Sequence, residues 1–380
     1  MGKIRPRIAF VIHDLCVQGA QYVTALLVRG FHAKGYDVDL LLAQVHWNLL
    51  AQGKVAFQIP FEVNIVRLPH RRARHNVPAL RHYLKHTGAG TVISMSVAYD
   101  VALALASIGI APRPKLCAVD HLPTGADFET GELREWSWRQ RLHDWLYCFT
   151  YSRLDLHLCV SKGVAEGNRR LYGTCASKLR VVYNPVVDEI CEKNLQSPPQ
   201  CGWLRKKECP TFVAAGAYNR IKNHLMLFEA IRLANMRQPV RLVLFGGDSE
   251  ECLTDQYVSF IRKNHLEDKI MLYGFSRNLP AELRAADGFI NSSIVESFSV
   301  VLVEALAAGC PVISTDCPFG PREILHDGEY GILCENKNPV GLADAICRVV
   351  NGGGINPPMQ SWMPYTVESI VEMYETNLKT

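Results

Sequence analysis

The chain is patterned for two open, doubly wound α/β domains of Rossmann-like character. Short β-branched and aromatic runs alternate with amphipathic helical stretches in both halves, Gly-containing turns follow several of those runs, and a polar, Pro-containing segment lies between the halves. The first half opens with Ile8-Ala-Phe-Val-Ile, a continuous apolar run that suits a buried parallel strand. A turn containing Gly19 follows. Val23, Leu26, Leu27 and Phe31 then recur at helical spacing up to Gly35, and Val38 to Ala43 forms a second strand, completing a β-α-β unit. Further strands are expected at 63–68, 91–95 and 115–119, with helices over 77–86 and 101–108. Strand signals resume at Thr211-Phe-Val-Ala-Ala-Gly and continue at 240–247, 269–275, 288–291 and 311–314. The segment 188–210 reads as the linker. The expected division is therefore 1–188, 189–360 and a helical tail over 361–380.

Composition sets limits on function. With 380 residues, 48% of them hydrophobic, the chain can bury two sizeable cores, and its formal net charge of +4 is too small to argue for nucleic acid. Thirteen Cys are scattered without a C-x-x-C pair or Cys/His ligand spacing, so neither a metal site nor a disulfide framework is indicated. Reduced thiols imply a cytoplasmic location. The apolar stretch after the basic Met1 to Arg7 is interrupted by His13 and Asp14, too soon for a signal peptide or a membrane span.

The most informative segment runs from Glu296 to Gly309, where two carboxylates stand eight residues apart around an apolar helical run. A helix beginning near Ser299 would present the free N–H groups of Ser299, Val300 and Val301, and the positive end of its dipole, to an anion such as a diphosphate. Glu296 would face the same space, and Glu304, more than one turn along, would reach a neutral polyol beside the phosphate. The plainer alternative makes Glu296 a helix cap and Glu304 a solvated surface acid. Arg220 and Lys222 follow the strand ending at Gly216, where ligands of open α/β sheets bind, and two cations there would neutralise a diphosphate. Gly246 and Gly247 either allow the backbone to approach a nucleotide closely or simply make a tight turn.

The run from Ala285 to Cys334 resembles the nucleotide-sugar half of the family 4 (group 1) retaining glycosyltransferases of GT-B fold. Ile8 to Ala43, Leu158 to Gly163 and Val182 to Val186 are similar to the family's first domain, in the same order. The resemblance implies that two Rossmann-like domains face a cleft and that the tail packs back across the first. It implies Glu296 on hydroxyls of the donor sugar, Glu304 on the ribose, Lys222 on the leaving diphosphate, and Phe275 where relatives hold the base, though Phe275 also fits a core position. Gly19 matches the glycine whose backbone passes the donor phosphate, and His121 a histidine that holds a donor hydroxyl or helps move a proton. There are two departures. Ala217 stands where the family has Arg, which leaves Arg220 either as its replacement or as a solvated surface residue, and Gln21 replaces an acid.

The implied reaction moves a sugar from a nucleotide diphosphate donor, UDP-sugar first, to a hydroxyl acceptor in cell-surface polysaccharide, lipopolysaccharide or lipid-linked glycan assembly. It proceeds with retention, by front-face attack, and with no metal or other cofactor. Glu296, Lys222 and His121 are its catalytic candidates. Two alternatives remain: a sugar-nucleotide epimerase of similar fold, and a non-catalytic nucleotide-sugar or membrane-surface binding protein. The segment His70 to His86 is strongly basic, with no acid between Glu62 and Asp100, and reads either as a solvated face or as a contact for an anionic membrane on its inner side. Nucleic acid is not expected there. Trp136, Trp138 and Trp145 either line the acceptor side or pack a helix. Asp120 and Asn184 read as structural.

Overall fold

A computed structural model describes residues 7–15, 19–44, 59–121, 148–172, 177–276 and 278–379. The three tryptophans named above lie outside them. The described chain forms two compact units, one holding residues up to Pro185 together with Val367–Thr380, the other Val186–Thr366.

The first unit is built on seven parallel strands, β1 (Ile8–Ile12), β2 (Val38–Leu42), β3 (Asn64–Arg67), β4 (Thr91–Ser94), β5 (Lys115–Asp120), β6 (Leu156–Cys159) and β7 (Leu179–Val181), in the order β3-β2-β1-β4-β5-β6-β7. Burial on both faces explains why β1 and β2 read as unbroken apolar runs: all five residues of each are buried. The helix Val77–His86 lies where its periodicity puts it. The helix expected over 101–108 instead spans Val97–Ala106, because Asp100, which breaks the apolar run in the sequence, is buried within its first turn.

The C-terminal helix Val367–Leu378 belongs to this unit and packs on the first helix, Gly19–Ala33. Contact is close because Gly30 has no side chain: a Cβ there would stand 2.5 Å from Val367 Cγ1 and 2.7 Å from Val371 Cγ2. The Tyr374 ring meets Phe31 edge-on at 6.0 Å. At the rim, Lys34 Nζ reaches Glu372 at 3.2 Å and Tyr36 donates to Glu375 at 2.6 Å.

The second unit has six parallel strands, β8 (Thr211–Ala215), β9 (Arg241–Phe245), β10 (Ile270–Gly274), β11 (Gly288–Asn291), β12 (Val312–Thr315) and β13 (Ile332–Cys334), in the order β10-β9-β8-β11-β12-β13. The direction of winding reverses between β8 and β11, so the carboxyl ends of those two strands frame the crevice in which such sheets bind ligands. The segment 188–210 is not an extended linker. Asp188 caps the helix Glu189–Leu195, accepting from Cys191 N at 2.8 Å, and the buried Glu282 carboxylate accepts from Gln200 N at 2.8 Å and Cys201 N at 3.3 Å. Its polar residues therefore serve as a cap and as backbone partners.

Candidate functional site

At the winding reversal of the second sheet the chain brings one cation and one acid together. After β8, Asn219 caps a short 3₁₀ turn, accepting from Lys222 N at 3.0 Å, and Asn223 ends it in the left-handed region at φ 52°. Lys222 is thereby directed back over Gly216, where a Cβ would stand 3.3 Å from Lys222 Cε. After β11, Asn291-Ser-Ser is tied down from the neighbouring strand. Asn291 Nδ2 donates to Ser314 Oγ at 3.0 Å, Thr315 Oγ1 donates to Ser293 O at 2.6 Å, and Ser292 Oγ donates to Lys222 O at 2.7 Å. The two loops are thus fixed to each other through backbone as well as side chains.

Glu296 lies just beyond. Its Oε2 accepts from Lys222 Nζ at 2.5 Å and is 3.2 Å from Ser293 Oγ. The carboxylate is 13% exposed and the ammonium 25%, a charge pair held at the edge of solvent. Glu296 is therefore not the helix cap. That position is taken by the buried Ser299, ahead of the helix Val300–Ala307 with Val300 and Val301 partly exposed in its first turn. Gly320, which the sequence reading passed over, fixes the Glu296 backbone. Its N–H donates to Glu296 O at 2.6 Å, and a Cβ there would stand 2.8 Å from Ser297 O and 2.9 Å from Glu296 O. The sequence signal was a glycine between Phe319 and Pro321, but its partner lies a full β-α-β step earlier.

Glu304 is buried, only 8% exposed, so it is not a solvated surface acid. Burial pushes its pKa up to about 7, and the nearby Asp188 carboxylate adds to the rise. Phe275 is the reverse case. It is 67% exposed, which removes the core reading, and its ring covers Gly247, where a Cβ would lie 3.0 Å from Phe275 Cε2. Gly246, at φ 137°, brings two strand ends together: a Cβ there would fall 1.9 Å from Gly216 O. Arg220 is not gathered with Lys222 and Glu296; it is 78% exposed, its Nε lies 3.6 Å from Glu251 Oε2, and its backbone N donates to the same carboxylate at 3.1 Å.

The first unit holds the two remaining candidates. Gly19 starts the first helix with open space where a Cβ would go, and Gln21 Nε2 donates to Asp14 Oδ1 at 3.3 Å. His121 follows β5; burial lowers its pKa to about 4 against the opposing pull of Asp120, so its imidazole is neutral at pH 7. Its Nε2 is buried with no hydrogen-bond partner among the described residues. Asp120 is anchored in a buried cluster in which Tyr151 OH donates to it, Asn168 Nδ2 donates to it at 2.8 Å, and His157 stacks on Tyr151 with ring centroids 3.3 Å apart.

Two family models match this chain. Glycosyltransferase Family 4 matches residues 17–189, and Glycosyl transferases group 1 matches residues 209–352, so together they take in well over half of its length. The chain belongs to the family 4, group 1 glycosyltransferases. This glycosyltransferase is 31% identical over 198 residues to the N-acetylgalactosamine-N,N'-diacetylbacillosaminyl-diphospho-undecaprenol 4-alpha-N-acetylgalactosaminyltransferase of Campylobacter jejuni, a match covering 52% of this chain and 51% of the relative. It is 27% identical over 214 residues to the lipopolysaccharide 1,6-galactosyltransferase of Salmonella typhimurium, 54% of each chain. The chain thus spans about half the length of the curated relatives it matches. Among solved structures, HepE of Anabaena in complex with UDP and glucose superposes with a TM-score of 0.75 at 18% identity, over 99% of this chain and 100% of that one. The fold is the two-domain GT-B glycosyltransferase fold.

Proposed function

We propose that this glycosyltransferase takes a sugar from a nucleotide diphosphate donor, with UDP as the nucleotide, and transfers it with retention to a hydroxyl acceptor of a cell-surface polysaccharide, lipopolysaccharide or lipid-linked glycan. The observation that carries the reading is the Lys222–Glu296 pair, 2.5 Å apart at the winding reversal of the second sheet and just ahead of a helix start. An ammonium and the helix N–H groups suit phosphate oxygens, and a carboxylate suits sugar hydroxyls. The curated relatives named above act on undecaprenol-linked and lipopolysaccharide glycans, and HepE was solved with UDP and glucose, which supports the donor and acceptor classes.

In the reaction the bond from the anomeric carbon to the β-phosphate oxygen breaks and a bond to the acceptor oxygen forms on the same face. The acceptor proton passes to the departing phosphate oxygen. Lys222 and the N–H groups of Ser299, Val300 and Val301 stabilise charge that grows on the diphosphate, a role preorganised donors fill at no cost in reorganisation. Glu304 takes the ribose, Phe275 offers its exposed face to the base, and Gly216 and Gly246 let the backbone approach the nucleotide. In the first unit, neutral His121 accepts from or donates to a donor hydroxyl, and Gly19 lets the first helix approach the phosphate. Arg220 is left out of this scheme because its side chain is directed to Glu251. No metal takes part, so chelators leave the rate unchanged.

No helix among the described residues is long and apolar enough to cross a membrane. The cations Arg71, Arg72, Arg74 and Lys85 are exposed, which supports peripheral attachment to an anionic inner membrane face. The described cysteines are all unbonded, in keeping with a cytoplasmic site.

The test is to incubate the protein with UDP-sugars and undecaprenyl-diphosphate-linked sugar or oligosaccharide acceptors and to read the anomeric configuration of the product by NMR. An α-linked product from an α-linked donor, undiminished by EDTA and reduced at least a hundredfold in Lys222→Met and Glu296→Gln, is expected, on the order of the loss of one charge-stabilising group. Free epimerised donor, or binding without turnover across acceptors, would contradict it.

A further inference from the structure

The first unit carries a cationic cavity at the amino ends of its strands, opposite to the carboxyl ends that Gly19 and His121 follow. About 530 Å³ of space is lined by Arg113, Lys115, Asp155, Ser177, Lys178 and Arg180, with Pro114 and Leu156 beneath. Lys115, Leu156 and Leu179 are the first residues of β5, β6 and β7, so the cavity sits across the amino ends of three adjacent strands. His121 follows the carboxyl end of β5.

Four cations and one acid line this space, and the acid is already matched. Arg113 holds Asp155 through two hydrogen bonds of 2.5 and 2.9 Å, and Leu116 N donates to the same carboxylate at 2.8 Å. The other three cations are held by neutral backbone carbonyls. Lys178 Nζ donates to Ser152 O at 2.7 Å and Leu154 O at 2.8 Å, Arg180 donates to Ser177 O at 2.8 Å and Leu179 O at 3.0 Å, and Lys115 Nζ donates to Leu378 O at 2.9 Å. Carbonyl anchors fix a cation's position without cancelling its charge. Among the described residues each of the three retains unused donors: one on Lys178, two on Lys115, and the Nε and Nη2 groups of Arg180. Side chains held this way have little rotamer freedom left to lose when an anion arrives. Three fixed like charges around one cavity repel one another, and a polyvalent anion turns that repulsion into attraction.

We propose that this cavity is a second ligand site, distinct from the donor site, and that it takes a group bearing two or more phosphate charges. The probe is inorganic pyrophosphate, titrated by calorimetry into the Lys222→Met protein so that the donor site does not contribute. Saturable binding with a dissociation constant in the millimolar range or tighter is expected. Arg180→Gln and Lys178→Gln should each weaken it about tenfold, the loss of one charge-assisted hydrogen bond, and Arg180→Lys should restore part of it. Circular dichroism establishes that each variant is folded. A parallel flotation assay with phosphatidylcholine vesicles containing phosphatidic acid separates sources: Arg180-dependent flotation without pyrophosphate binding identifies a lipid headgroup as the phosphate donor to the site. Equal pyrophosphate affinity in the parent, Arg180→Gln and Lys178→Gln proteins, together with Arg180-independent flotation, would overturn the proposal. So would an effect that potassium chloride reproduces at the same ionic strength.

Discussion

At the residue scale, Glu304 is the most exposed to test because its charge costs the fold something. Its pKa stands at about 7, above the ordinary carboxylate value, so between roughly pH 4.5 and 7 the folded chain binds more protons than the unfolded one. Stability from this group is therefore present at low pH and lost as pH rises through that window. Glu304→Gln should match the parent below pH 4.5 and exceed it above pH 7 by up to about 3 kcal/mol. Asp188→Asn, which keeps a good helix cap, should shift the same curve toward lower pH. Denaturant unfolding at a series of pH values reads both. If Glu304→Gln is destabilising at pH 8, burial is not what sets its charge. The Lys222–Glu296 pair makes a different demand. Either single substitution should cost about 1–2 kcal/mol, between the exposed and fully buried limits, and the double variant less than the sum, read by a double-mutant cycle.

At the element scale, the strand ends of the second sheet depend on glycines whose reasons are steric. Gly246→Ala would drive a Cβ to 1.9 Å from Gly216 O, a clash with backbone rather than with a movable side chain. A loss of about 2–4 kcal/mol is expected by thermal or denaturant unfolding, together with loss of nucleotide binding, because Gly216 underlies Lys222. Gly216→Ala meets the Lys222 side chain at 3.3–3.4 Å rather than backbone, but at φ 159° a side chain is still strained, so it should cost stability, less than Gly246→Ala does, while also weakening nucleotide binding. Much of this scale was legible beforehand. Buried parallel strands read as apolar runs, and the helices over 77–86 and after Ser299 followed from spacing and from the E-x7-E segment. What was not legible had one cause, partners far apart in the chain. The helix expected from 101 takes in Asp100, which is buried in its first turn, and the segment 188–210 reads as a linker because Glu282, which holds it, comes some 80 residues later. Nothing in the sequence pairs Arg220 with Glu251, whose carboxylate lies 3.6 Å from its Nε. Gly320 had no visible reason to matter until the Glu296 backbone was found against it.

At the scale of the whole molecule, the tail and the two sheets divide the work. Ile370, Val371 and Tyr374 are fully or almost fully buried within the first unit, although the second unit separates them from its other residues in the chain. Truncation after Thr366 should expose the Gly30 face of the first helix and destabilise the first unit by several kcal/mol, seen in calorimetry as an earlier transition. The core of the second unit should be spared. Sequence alone put Lys222 and Glu296 beyond strand ends of the second sheet, where the structure brings them within 2.5 Å of each other, because strand-end positions carry the ligand chemistry of open α/β sheets whatever the loops do.

The most direct measurement is a thermal-shift titration with UDP, GDP, ADP, CMP and the UDP-sugars, repeated in Lys222→Met and Glu296→Gln. A ligand that binds the native state raises apparent stability by mass action. The expected result is a rise selective for UDP and UDP-sugars that is lost in Lys222→Met, with Glu296→Gln keeping the response to UDP and losing the added response to the sugar conjugate. An unchanged response in Lys222→Met, or no response to any nucleotide in a folded protein, would contradict a donor site built on this pair.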